Sequence, residues 1–276
     1  MKRILSLILT AVLLTVALSG CTEEDTPQTT TRNAATAEEE MAERFNAALA
    51  LLENVGSYAV RGSVISSAEV IPADGSKGEA ATLNVPFEMT VSDDSFSLRS
   101  EGGDLPHSTY FDGEHYYVSV DELDLRYRSE KNDYYDYSAE GYFCAINAEA
   151  VFSPEITEEN GKTELRFRIP FGLYGSEALS AWLGDLIDET CASSNIQAVL
   201  TVASDGLPEK LYLFFTTVTD FSGDSIRQEL VVDLTFSDFS AASVTPPDDM
   251  EAYTDRTEAE QGTSEDFLEI PPEDLQ

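Results

Sequence analysis

The sequence predicts an α+β fold in which a meandering antiparallel sheet carries helices packed on one face. Three observations lead there. Segments that alternate apolar with polar residues recur from Tyr58 to Phe236, most of them joined by brief turns built on Gly, Asp and Asn. Two stretches break that rhythm and repeat apolar residues every three or four positions, as amphipathic helices do. The 276 residues are 42% hydrophobic, enough for one sizeable core.

The chain begins with Lys2 and Arg3, followed by an apolar run from Ile4 to Ala17. At about fifteen residues the run is short for a membrane-spanning helix and suits the apolar region of a signal peptide. It ends in Leu18-Ser19-Gly20-Cys21, which resembles the lipobox of bacterial lipoproteins. That resemblance implies a diacylglyceryl group on the Cys21 thiol, and cleavage before Cys21 that frees an amine for a further acyl chain such as palmitate. Two or more chains anchor a protein stably, where one is marginal. The expected place is the extracytoplasmic face of the cell membrane; the alternatives are an ordinary signal peptide and an uncleaved anchor. Removal of residues 1–20 leaves 14 basic against 52 acidic residues, a net charge of −38. Such a charge favours solubility, keeps the chain from lying on an anionic membrane and argues against nucleic-acid partners.

Residues 21–37, the acylated cysteine and a spacer rich in Thr, Ala and acids, tether a domain expected over 38–250. Thr36 stands three residues before Glu39 as in a capping box. Met41, Phe45, Ala48, Leu52 and Val55 then form one apolar helix stripe that Gly56 stops. Strands follow at Tyr58–Ile65, 81–91 and Phe96–Ser100. A hairpin pairs Thr109–Phe111 with Glu114–Val118 through Asp112-Gly113, a type I′ signal, and Asn160-Gly161 repeats the device between Val151–Glu158 and Lys162–Ile169. A second helix is expected over Ser176–Thr190, with Leu179, Trp182, Leu183, Leu186 and Ile187 on one face. Strands near Ile196–Ala203, Glu209–Thr219 and Ser225–Phe236 complete the sheet. From Pro246 eleven acids and one base (Arg256) predict an acidic disordered tail, at the latest over 251–276.

Three pieces together resemble the LolA-like and LppX-like group of lipoproteins and lipoprotein carriers. They are the N-terminal helix leading into a long meander, the Tyr110-Phe111-Asp112-Gly113-Glu114-His115-Tyr116-Tyr117 hairpin, and the ending Asp205-Gly206-Leu207-Pro208, Ser237-Asp238-Phe239 and Val244-Thr245-Pro246-Pro247. The resemblance implies a strongly curved sheet, an open half-barrel with helices on its concave face. It also implies an apolar ligand space lined by Leu179, Trp182, Leu183, Leu186, Leu211, Leu213 and Phe215. The same residues at the same spacing also describe a plain filled core.

The chain carries little recognisable chemistry. No nucleophile elbow, phosphate loop, dinucleotide fingerprint or zinc-protease motif occurs. Two His and three Cys are too few for a multi-ligand zinc, haem or iron–sulfur site. His107 and His115 read as strand-end surface residues, and Asp121–Asp124 and Asn132–Asp136 as solvated acidic loops, so no metal or cofactor is expected. Cys144 and Cys191 fit either a disulfide, worth about 4 kcal/mol for so long a loop, or two separate thiols. Tyr127, Tyr134, Tyr135, Tyr137 and Tyr142 form either a recognition surface or a loop folded back over the sheet rim. The sequence therefore predicts a non-catalytic, membrane-anchored extracytoplasmic lipoprotein that holds an apolar or lipid-like ligand between sheet and helices. The alternative is a protein–protein module of the cell envelope without a small-molecule ligand.

Overall fold

Thr36 sets where the chain first becomes regular. In the computed structural model, which describes residues 35–102, 106–130, 139–176, 179, 194–221 and 223–255, the Thr36 hydroxyl accepts the Glu39 N–H at 3.2 Å. The Glu39 carboxylate accepts the Thr36 N–H at 2.8 Å in return. This reciprocal cap satisfies two otherwise orphaned donors of helix α1 (Ala37–Asn54). Met41, Phe45, Ala48 and Leu52 are buried on one stripe, as the spacing requires, and Gly56 ends the helix at φ +78°.

Eleven strands follow as two meanders. The first is β1 (Ser57–Ile71), β2 (Ala80–Ser92), β3 (Ser95–Ser100), β4 (His107–Phe111), β5 (His115–Val120) and β6 (Leu125–Glu130). A short helix α2 (Ala139–Tyr142) precedes the second: β7 (Phe152–Glu159), β8 (Lys162–Pro170), β9 (Asn195–Val202), β10 (Pro208–Phe221) and β11 (Asp224–Ser237). Antiparallel pairing of β1 with β11, in register from Ala59–Ser237 to Ile71–Ser225, joins the two meanders. A two-residue strand β12 (Thr254–Asp255) adds in parallel to β6. The result is one large curved sheet in the order β12-β6-β5-β4-β3-β2-β1-β11-β10-β9-β8-β7, whose ends do not meet.

Alternation sorts the strands into an inner and an outer face. On the inner face Leu211, Leu213, Leu230, Val232 and Leu234 are at most 2% exposed. α1 lies against β7, β8 and β10 from that side. Phe45 meets Phe143 and Phe167 edge-on at 4.9 and 5.2 Å, a geometry that adds about 0.5–1.5 kcal/mol per ring pair to area burial. Gly62, also on this face, leaves room for its neighbours. A Cβ there would stand 2.6 Å from the Phe87 ring and 2.7 Å from Leu234 Cδ2. Beyond β2 a smaller cluster of Phe111, Tyr116, Val118 and Val120 continues the inner face.

Two expectations are corrected. The Asp112-Gly113 turn is shifted by one residue: Asp112 pairs with His115, and Gly113 and Glu114 form the loop. Only Gly113 has positive φ, so the type I′ pattern, with two such residues, is absent. The Asp112 carboxylate decides this by accepting the N–H groups of Glu114 and His115 at 2.8 and 2.7 Å. At Asn160-Gly161 both residues have positive φ, as expected. The second correction concerns the acidic C-terminal stretch, which is folded as far as Asp255. After β11 the Ser240 N–H donates to Ser57 O at 2.8 Å, and its hydroxyl donates to Val55 O at 3.2 Å. The chain then runs as a strap to a single helical turn at Met250–Ala252 and into β12.

Candidate functional site

The register of the first meander builds a patch that no local stretch of sequence contains. On the outer face, Thr90 pairs with Ser97, Ser97 with Tyr110, Tyr110 with Tyr117 and Tyr117 with Arg128. In the adjacent row Glu88 pairs with Arg99, Arg99 with Ser108, Ser108 with Ser119 and Ser119 with Arg126. The C-terminal strap lies opposite these rows through Thr245, Pro247 and Tyr253, enclosing a groove of about 390 Å³. That volume is at the low end of ligand sites, about 300–1,000 Å³. A second depression of about 320 Å³ shares Arg99 and Ser108 with the first and extends past His107 to Asp121 and Glu122.

The tyrosines are held in place. Tyr117 stacks obliquely on Tyr110 at 5.8 Å and meets Tyr253 of the strap edge-on at 5.5 Å. The strap leaves Tyr117 only 8% exposed although it is on the outer face. Its hydroxyl lies within electrostatic reach of Asp112 and Arg128. Burial pushes the Tyr117 phenol above its usual value, the Asp112 carboxylate adds to the rise, and Arg128 opposes it. Burial also pushes Asp112 up, but the His115 and Glu114 N–H groups, Tyr117 and the nearby His115 ring outweigh it and hold the carboxyl below its usual range. Arg128 reaches on to Asp255, with Nη2 and Nε at 2.7 and 3.2 Å from Oδ1, and so pins the far end of the strap. The Thr254 hydroxyl donates to Arg126 O at 3.4 Å beside it.

Among the expected ligand-lining residues, Leu179, Leu211, Leu213 and Phe215 come together in the main core, each at most 2% exposed, with Phe171 against Phe215 at 5.0 Å. Leu179 is helical, and its N–H donates to the Ser176 hydroxyl at 3.1 Å; the rest of the expected 176–190 helix lies outside the described residues. Trp182, Leu183, Leu186, Cys21 and Cys191 lie outside the described residues. Cys144 carries a free thiol, which burial pushes up to about 11 against a smaller pull from Tyr174. Of the tyrosine cluster, Tyr142 is buried in the main core and Tyr127 packs on the smaller one, so both fold back on the sheet, whereas Tyr134, Tyr135 and Tyr137 lie outside the described residues. Among the described residues no three His, Cys, Asp or Glu side chains converge as a metal site. None of their helices is long and apolar enough to cross a membrane. The groove residues escaped sequence reasoning because they come from four strands and a distant strap. The signal present was the run of Tyr and Ser at outward positions of β3–β5.

No protein-family model matches the chain, and neither does the sequence of any curated protein. Among solved structures it is similar to a putative outer membrane lipoprotein-sorting protein domain from Vibrio parahaemolyticus, at 12% identity and a TM-score of 0.25, over 72% of this chain and 93% of that one. It is also similar to Ail, the attachment invasion locus protein of Yersinia pestis, at 6% identity and a TM-score of 0.15, over 65% and 98%. Likenesses this loose carry no argument, and the architecture rests on the strand order given above.

Proposed function

We propose that this chain is an envelope lipoprotein, anchored through Cys21, whose LolA-like domain binds an envelope component without catalysis through the groove between its outer face and its C-terminal strap. One observation carries this reading. On the inner face the described apolar side chains are buried against one another, while the outer face of β2–β5 holds ordered tyrosines, an arginine and hydroxyls around open space. The spacer that precedes the Thr36 cap of α1 supplies the tether that lets the domain stand off the membrane. The reading is tested by sedimenting the anchor-free chain, residues 22–276, with purified cell envelopes. Wild type co-sediments and Tyr110→Ala does not; equal recovery of both overturns the groove as the contact. Incorporation of an alkyne-tagged fatty acid into the full chain, lost in Cys21→Ala, tests the anchor.

A second reading, an apolar or lipid-like ligand between sheet and the 176–190 segment, draws on Leu179, which joins Leu211, Leu213 and Phe215 in one buried cluster. Native mass spectrometry followed by organic extraction separates the two. A co-purifying lipid that disappears in Leu186→Asp, with the fold intact, favours the second; a bare protein favours the first.

A further inference from the structure

We infer that the outer-face groove is a binding site for a short, uncharged oligosaccharide. This rests on the groove being the functional contact and names its ligand. The lining is the first argument. Thr90, Ser97, Ser108 and Ser119 present hydroxyls from successive strands. A hydroxyl both donates and accepts, so such a surface matches a polyol whose own hydroxyls do the same. Tyr110, half-buried and backed by the buried Tyr117, supplies an aromatic ring on which the apolar C–H face of a sugar ring can lie. Arg99 and Glu88, paired in register, add charged hydrogen-bond partners of opposite sign that together favour no net ligand charge.

Shape is the second argument. The two depressions adjoin at Arg99 and Ser108, so together they offer space for more than one sugar ring. The site also lacks a free strand edge. Its floor is the face of a sheet whose backbone groups are already used in the ladders of β2–β5, so an extended peptide finds no free edge there to add to. A formal net charge of −36 repels polyanionic ligands from the whole domain. Finally, the strap closes the site from one side and is clamped at both ends, by Ser240 on Ser57 and by Asp255 on Arg128. The buried Tyr117 is thereby fixed between the strap and Tyr110, so the Tyr110 ring is oriented before any ligand arrives, which lowers the ordering cost of binding.

The test is calorimetric titration of residues 22–276 with chitotetraose, cellotetraose and maltotetraose, and with a proline-rich decapeptide as the competing chemistry. One of the saccharides binds. Tyr110→Ala weakens it about tenfold or more, about 1.4 kcal/mol, and Tyr110→Phe keeps most of the affinity. Tyr212→Ala, on the outer face of β10 away from the groove, leaves it unchanged. Unfolding curves of each variant exclude loss of fold as the cause. The inference is overturned if no saccharide binds at concentrations up to about 10 mM, if binding is indifferent to Tyr110→Ala and Arg99→Ala, or if only the peptide binds. Envelope sedimentation that still depends on Tyr110 alongside a negative titration would keep the groove as the contact and reject the sugar.

Discussion

The strands β7–β11 and the strands β2–β6 follow the same alternation, yet they use their two faces in opposite ways. On β8 and β9 the inward residues Leu165, Phe167, Ile169, Ile196, Ala198 and Leu200 are all at most 1% exposed, in the core that α1 joins. The outward residues there, Arg166, Arg168 and Gln197, are exposed to solvent. On β4 and β5 the inner cluster is small, and it is the outer face that carries ordered tyrosines beneath a strap. Strand patterning thus fixes which residues share a face. What covers that face, a helix on one half and an irregular segment on the other, decides whether it becomes core or site.

The largest effect should come from the closed half. Phe45→Ala removes a ring wedged between Phe143 and Phe167, at a cost of about 3–5 kcal/mol in chemical denaturation. Tyr110→Ala, on the open half, should leave the unfolding midpoint much nearer wild type while abolishing groove binding. A comparable stability loss in both would erase the distinction between the halves. Gly62→Ala sharpens the boundary between them, because its Cβ meets Phe87 and Leu234. The expected cost is about 1–3 kcal/mol by the same measurement.

Smaller effects follow from titration. The folded Asp112 carboxyl is held below its unfolded value near 3.9, so the stability it contributes is complete above that pH and lost as pH falls through the lower folded value. The difference in stability between wild type and Asp112→Asn should therefore be constant near neutrality and shrink in acid. Unfolding followed against pH checks this, and a difference that grew in acid would reverse the sign. Cys144 should react slowly with iodoacetamide at pH 8 and accelerate as pH approaches about 11, whereas the denatured chain reacts readily at pH 9. Fast labelling of the native thiol at neutral pH would contradict its burial.

Much of this fold was legible because period and punctuation agree. Thr36 and Glu39 announced α1, and Asn160-Gly161 announced the β7–β8 hairpin, each by a local device that the structure repeats in its hydrogen bonds and dihedral angles. β6 was not anticipated, since the alternation of Leu125-Arg126-Tyr127-Arg128 is only four residues long and sits in an acidic, tyrosine-rich stretch. The strap departs from expectation for a physical reason: acidic composition predicts disorder only where no anchoring contact offsets it. Tyr253, which docks on Tyr117, and Asp255, which pairs with Arg128, are such anchors. The groove was hardest to see. Thr90, Ser97, Tyr110 and Tyr117 meet only through three successive registers, which pattern alone does not specify.

Hydrogen exchange of residues 22–276 with and without saturating envelope fragments tests most directly whether the outer face is the working face. The strap amides between residues 243 and 249 are the sensitive reporters, since the sheet beneath them is already hydrogen-bonded. Added protection in the strap and at the β4–β5 hairpin is the result expected. Protection confined to α1, β9 and β10, with the strap unchanged, would place the ligand on the inner face and contradict the account.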